Sequence, residues 1–174
     1  FHSNYELALL FIVTGAVFDF FDGMSARLLR VSSPIGKELD SLADDVTFGL
    51  APAAIAFSLF KEMHYPDFLL PMAGILPYAA FLIAVFSALR LAKFNLDERQ
   101  TSSFIGMPTP ANALFWGSLV VGGHEFLVST HFNAIYLLVL VIVMSLLLVA
   151  ELPMFSGLWF RCIIFAVSRY SLYE

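Results

Sequence analysis

Four aspartates stand out by type and spacing: Asp19 and Asp22, three apart, and Asp40 and Asp44, four apart. Each pair falls on one face of a helix. Between them Ser33 can cap a helix and Pro34 suits its first position. The segment therefore reads as two antiparallel helices joined by a turn. Asp22 with Asp40, and Asp19 with Asp44, are each centred on that turn near Val31, which puts the members of each pair at one depth. Four carboxylates then converge on one pocket. Like charges this close repel and disfavour ionisation. Two divalent cations would offset them, and two metals about 3.5–4 Å apart form a known device for phosphoryl displacement. An all-oxygen ligand set fits Mg²⁺ or Mn²⁺ rather than zinc. The alternative is that Arg27, Arg30 and Lys37 pair with the acids as salt bridges at helix ends. Those three cations do not match a facing set with Glu38 and Asp45 beside it.

The elements that must position these aspartates are membrane helices. Of the 174 residues 60% are hydrophobic and 13% charged, and the mean hydropathy is +0.85. A soluble domain of this size does not need so much apolar surface. The fold class expected is all-α, a polytopic transmembrane bundle. Five spans are predicted, roughly 5–29, 36–60, 68–94, 110–128 and 132–150, each near the length a bilayer needs. Of the nine basic residues only Lys61 falls on the side away from the aspartates. The positive-inside rule thus places the aspartate end at the cytoplasm. His64, His124, Glu125 and His131 lie on the opposite loops without ligand spacing and read as solvated or headgroup-level side chains. A single cysteine, Cys162, excludes an intrachain disulfide and a cysteine metal cluster. With no basic tract and no nucleic-acid motif, nucleic acid is not a partner.

The pattern Asp19-x-x-Asp22-Gly23-x-x-Ala26-Arg27, eight residues, Gly36-x-x-x-Asp40-x-x-x-Asp44 resembles the signature of the CDP-alcohol phosphotransferases, membrane enzymes of phospholipid synthesis. The resemblance implies a catalytic core over residues 1–156, followed by a divergent tail, 157–174. It also implies six spans, homodimerisation, and attack of an alcohol on a CDP-linked lipid with release of CMP. The family's first helix carries a motif near P-N-x-x-T that has no counterpart here, so that helix is expected to be missing. By resemblance, Asp19, Asp22 and Asp40 hold two divalent cations, Mg²⁺ or Mn²⁺. Asp44 joins them and serves as the general base. Gly23, Ala26, Arg27 and Gly36 line the CDP site. Gly23 and Gly36 leave the backbone open to close approach, and the Arg27 guanidinium suits phosphate.

Two further stretches narrow the acceptor alcohol. Asp40-Ser-Leu-Ala-Asp-Asp-Val-Thr-Phe-Gly-Leu-Ala-Pro52, and Arg90-Leu-Ala-Lys-Phe-Asn95 with Phe104-Ile-Gly-Met-Pro-Thr-Pro110, are similar to the serine-using branch of the family, as is Glu151-Leu-Pro-Met-Phe-Ser156. That likeness implies CDP-diacylglycerol and serine as substrates, in the inner membrane. Arg90 and Lys93, at the cytoplasmic end of the third span, are candidates for the serine carboxylate or the lipid diphosphate; snorkelling helix-end cations are the alternative. Asn95 is a candidate toward the amino acid. Other acceptors, glycerol phosphate or inositol phosphate, are dianions that call for a denser basic cluster. A cation transporter with intramembrane aspartates is a further alternative, but no ionisable residue marks a path to the other face.

Overall fold

The computed structural model describes residues 4–30, 33–96, 107–129 and 132–150, and it is all-helical apart from short turns and one isolated bridge, His64 to Asn133. Helix α1 is Tyr5–Leu29. It opens on Asn4, whose side chain accepts the Leu7 N–H at 3.1 Å, and closes on Arg30 in the left-handed region, φ 52°. Helix α2, Pro34–Asp44, starts as its sequence requires: the Ser33 hydroxyl accepts the Gly36 N–H at 3.1 Å, and Pro34 occupies the first turn.

Beyond Asp44 the chain widens into a π turn, Asp45–Leu50, and then continues as α3, Ala51–Glu62. Pro52 gives the reason. It has no N–H to donate, and in a regular helix its ring would crowd the Phe48 carbonyl four residues back. The wider turn relieves this, and the Ala51 N–H reaches the Val46 carbonyl, five residues back. Pro34–Glu62 remains one rod of 29 residues.

The expected span 68–94 is corrected. Asp67–Met72 and Leu76–Phe81 are 3₁₀ turns, and regular helix begins only with α4, Leu82–Leu96. Pro71 and Pro77 withhold donors on either side of Gly74, so an α-helix cannot run through. Helices α5, Thr109–Val128, and α6, Ala134–Val149, complete the described residues.

Among those residues, three helical stretches are long and apolar enough to cross a membrane: Tyr5–Leu29, Pro34–Glu62 and Leu76–Leu96. Helix α6 is apolar but has 16 residues, against about 20 for a full crossing. The chain is thus an integral membrane helix bundle, with fewer full-length spans among the described residues than the five expected.

The core lies among α3, α4, α5 and α6, where Trp116, Phe60, Leu59, Ile83, Leu137 and Val141 are fully buried. Helix α4 packs on α6, and α5 packs on α1 and α3. Helix α1 stands at the edge. Ile12 is its one buried residue, while Phe11, Phe18 and Phe20 are each more than 60% exposed. Such a face suits lipid. Small residues let α1 approach the bundle: a Cβ on Gly15 would come 2.6 Å from Thr47, and one on Gly117 would come 2.6 Å from Leu9. At the end away from the aspartates, the Tyr5 hydroxyl donates to Glu62 Oε1 and His124 Nε2 meets Glu62 Oε2, both at 2.8 Å. The Tyr5 and His124 ring centroids lie 5.4 Å apart, with the rings tilted by 41°. His124 is therefore part of a clamp joining α1, α3 and α5 and sits on a helix rather than a loop, with 40% of its side chain still exposed. His131 lies outside the described residues, as do the tail 157–174 and the segment 151–156.

Candidate active site

The hairpin of α1 and α2 brings the predicted carboxylates together. One oxygen each from Asp19, Asp22 and Asp40 lies within 4.8 Å of the others. Asp19 is half-buried, whereas Asp22 and Asp40 are exposed. Asp44, one turn past Asp40, sets its carboxyl close enough to that of Asp19 for the two to interact. The depths read from the turn hold in part. Asp22 does meet Asp40, and Asp19 does meet Asp44, but Asp19 also joins the outer pair.

Four carboxylates this close are stable together only with protons or cations among them. Three oxygens within reach of one point, on half-buried to exposed side chains, fit a hard divalent cation that keeps part of its water shell. The donor set contains neither sulfur nor imidazole, which speaks against zinc. These residues could hold a metal ion.

Asp19, Asp22 and Asp40 line a cleft of about 550 Å³ together with Gly23, Met24, Arg27 and Leu28, whereas Asp44 lies outside that lining. A Cβ on Gly23 would meet nothing within 4 Å, so the backbone there is open to the cleft. Arg27, in the last turn of α1, lines the same cleft as Asp19, Asp22 and Asp40. Ala26 and Gly36 are not among the cleft-lining residues. Gly36 serves the cap instead: a Cβ there would come 2.8 Å from the Ser33 hydroxyl oxygen.

Helix α4 supplies the remaining candidates. Arg90 is largely enclosed and lies within electrostatic reach of Asp44. Lys93 is exposed. The Asn95 side-chain nitrogen donates to the Ser41 hydroxyl at 2.9 Å, and its backbone carbonyl accepts from Lys37 Nζ at 3.4 Å. Asn95 thus ties α4 to the helix that carries Asp40 and Asp44. The sequence left Asp45 unassigned; in the structure a Cβ on Gly49 would come 2.5 Å from Asp45 Oδ1 and 3.0 Å from Ser87 Oγ, and neither of these buried oxygens has a hydrogen-bond partner. The signal available was Gly49 and Pro52 inside an apolar span, which marks a disturbed turn.

Comparison with known proteins agrees with this geometry. The family model for CDP-alcohol phosphatidyltransferase matches residues 1–168. A CDP-diacylglycerol–serine O-phosphatidyltransferase of Bacillus subtilis (strain 168) is 46% identical over 109 residues, covering 63% of this chain and 57% of its own length. The protein of that name from Helicobacter pylori (strain 26695) is 38% identical over 116 residues, 64% of this chain and 46% of its own. That from Mycobacterium leprae (strain TN) is 33% identical over 156 residues, 86% of this chain and 49% of its own. The chain spans about half the length of the curated relatives it matches. No solved structure gives a significant match. With its hairpin of facing aspartates and the match along nearly its whole length, the chain belongs to the CDP-alcohol phosphatidyltransferase family.

Proposed function

We propose that the protein transfers the phosphatidyl group of CDP-diacylglycerol to L-serine, giving phosphatidylserine and CMP. The observation that carries this reading is the convergence of Asp19, Asp22 and Asp40 within 4.8 Å, with Asp44 against Asp19, at a cleft edged by Arg27. The names of the relatives supply the acceptor.

Asp19, Asp22, Asp40 and Asp44 would hold two divalent cations, Mg²⁺ or Mn²⁺. When bound, these would neutralise charge on the phosphate oxygens and on the departing CMP. The protein's own groups do the rest. Arg27 donates its planar fork to the diphosphate, while Gly23 lets the nucleotide approach the α1 backbone. Ala26 and Gly36 keep the neighbouring surface low. Asp44 takes the proton of the serine hydroxyl as the new P–O bond forms; the bond from phosphorus to the CMP oxygen breaks, and CMP leaves with that electron pair. Arg90, enclosed beside Asp44, receives the serine carboxylate, with Lys93 near the same end of α4. Asn95 orders this end of α4 through Ser41. The excess of basic residues at the aspartate end supports a site on the cytoplasmic face of the cell membrane, and the family resemblance implies a homodimer.

The test is CMP release from CDP-diacylglycerol by the full-length protein, with serine, glycerol 3-phosphate, inositol phosphate and ethanolamine offered as acceptors. Release dependent on serine is expected. Equal use of glycerol 3-phosphate and serine would move the assignment to another branch of the family.

A further inference from the structure

The contacts of α1 with the Pro34–Glu62 rod form a ladder around the aspartates, in opposite order along the two helices. Asp22 meets Asp40, and Asp19 lies against Asp44. Four residues before Asp19 on α1 is Gly15, and three past Asp44 on the rod is Thr47. These two also meet: a Cβ on Gly15 would come 2.6 Å from Thr47 Cγ2. Offsets of three and four residues stay on one helical face. Gly15 and Thr47 are therefore the next rung below the carboxylates, about 6 Å along the axis from Asp19.

At this rung the backbone of α1 rests on the Thr47 methyl. Thr47 is β-branched and has few side-chain conformations open to it in a helix, so a side chain at Gly15 moves the helices. Carbon atoms in contact sit about 3.5–4.0 Å apart, so a Cβ on Gly15 would part α1 from the rod by about 1 Å. A parting of that size matters to a hard cation. Mg²⁺ demands near-ideal octahedral geometry at about 2.0–2.1 Å, whereas Ca²⁺ accepts flexible geometry at about 2.3–2.6 Å. Asp19 and Asp22 stand on α1, and Asp40 and Asp44 on the rod. The gap between the two helices is thus one dimension of the site.

We infer that Gly15, through its contact with Thr47, is a positioning residue that sets the gap between α1 and the rod and so fits the aspartate site to a small divalent cation in preference to a larger one. The inference rests on the reading of Asp19, Asp22, Asp40 and Asp44 as the residues that would hold the cations. Gly15 touches neither cation nor substrate and acts through the aspartates of its own helix. Gly117 offers a comparison on the same helix pair side: a Cβ there would come 2.6 Å from Leu9 Cδ1 on α1. Leu9 is ten residues before Asp19, about 15 Å along the axis, so that contact crowds α1 at a distance from the acids.

Thermal unfolding of the full-length protein in detergent, titrated with Mg²⁺ or Ca²⁺ from a chelated baseline, tests the inference without recourse to turnover. Wild type should be stabilised by Mg²⁺; a wild-type protein that no divalent cation stabilises overturns the metal reading, and the role of Gly15 with it. Where wild type does respond, Gly15→Ala should raise the half-saturating Mg²⁺ concentration about 10–100-fold, the usual cost of disturbing what orients metal ligands. The value for Ca²⁺ should change less. Gly117→Ala should leave both values as in wild type. Once Thr47→Ala removes the methyl, the nearest atom of that residue is its Cβ, 3.8 Å from the Gly15 Cβ position, an ordinary contact. The double variant Gly15→Ala/Thr47→Ala should therefore bind Mg²⁺ as wild type does, even where Gly15→Ala alone fails to fold. A double variant that binds Mg²⁺ more weakly than Thr47→Ala overturns the inference. So does a Gly15→Ala protein that loses Mg²⁺ and Ca²⁺ equally, or one that melts lower in chelator and in Mg²⁺ alike with its half-saturating concentrations unchanged.

Discussion

Removing one charge from the aspartate cluster should have opposite effects on stability with and without a divalent cation. Asp22 is the residue to change, because it is exposed and its oxygen lies within 4.8 Å of those of both Asp19 and Asp40. Two unit charges at that distance repel by about 1 kcal/mol in water, and by about 3.5 kcal/mol at an effective dielectric of 20. The cluster is open to the cleft, so the lower figure applies. Asp22→Asn relieves two such pairs, about 2 kcal/mol in all. For a chain of this length, that corresponds to a rise in melting temperature of about 4–8 °C.

With a divalent cation present the sign reverses. The variant then loses a ligand, and a cation that binds only the folded form stabilises less as its affinity falls. The assay is thermal unfolding in detergent above neutral pH, where carboxyls are least protonated, for wild type and Asp22→Asn, with chelator and with millimolar Mg²⁺. The variant should melt higher than wild type in chelator and lower in Mg²⁺. A shift of the same sign in both conditions would refute the reasoning, because Asp22 would then not share a cation with its neighbours.

Other outcomes follow from the same geometry. Thorough chelation should abolish CMP release, and added Mg²⁺ or Mn²⁺ should restore it; full activity in chelator would remove the metal reading. Asp44→Asn should cost about 10²–10⁴-fold in kcat, the usual contribution of a general base, and an equal loss of kcat in Asp45→Asn would displace Asp44 from that role. Arg90→Ala should raise the KM for serine roughly ten- to a hundredfold, from the loss of a charged contact worth about 1.5–3 kcal/mol, while ethanolamine, which lacks the carboxylate, should be a poor acceptor. Glu62→Gln should lower the melting temperature, because the clamp at 2.8 Å to Tyr5 and His124 loses its charge; an unchanged melting temperature would count against that clamp.

The aspartate hairpin was legible because everything that builds it is local. Ser33 and Pro34 announce where α2 starts, and a turn of fixed length sets which aspartates face each other. Helical periodicity does the rest, so Asp19, Asp22 and Asp40 meet without help from distant residues. The same locality explains why the ends of α1 and the position of α5 could be read. Both lie between strong stop signals, and neither needs a partner to define it. Where a stop signal sat inside an apolar run, the reading slipped. Hydropathy carries across Pro71, Gly74 and Pro77, but the backbone does not, and the third span loses its first turns.

What stayed hidden depends on pairs far apart in the chain. Asp45 points about 100° from Asp44 on a regular helix, and that direction has no meaning until α4 is set beside it. Ser87 is 42 residues away in an unremarkable apolar run, and only the packed structure shows that Gly49 makes room for both side chains. Asn95 was legible as a polar residue near the site, yet its side-chain nitrogen is bonded to Ser41, 54 residues earlier. His124 was read as a loop residue because its partners, Glu62 and Tyr5, belong to other helices. The division is physical. Helix α1 buries only Ile12, so the helix that carries Asp19 and Asp22 is held by small-residue contacts at Gly15 and Gly117, and by the clamp at its far end. The chemistry is encoded in a short motif, whereas the stiffness that keeps its halves in register comes from polar ties spread along the whole bundle.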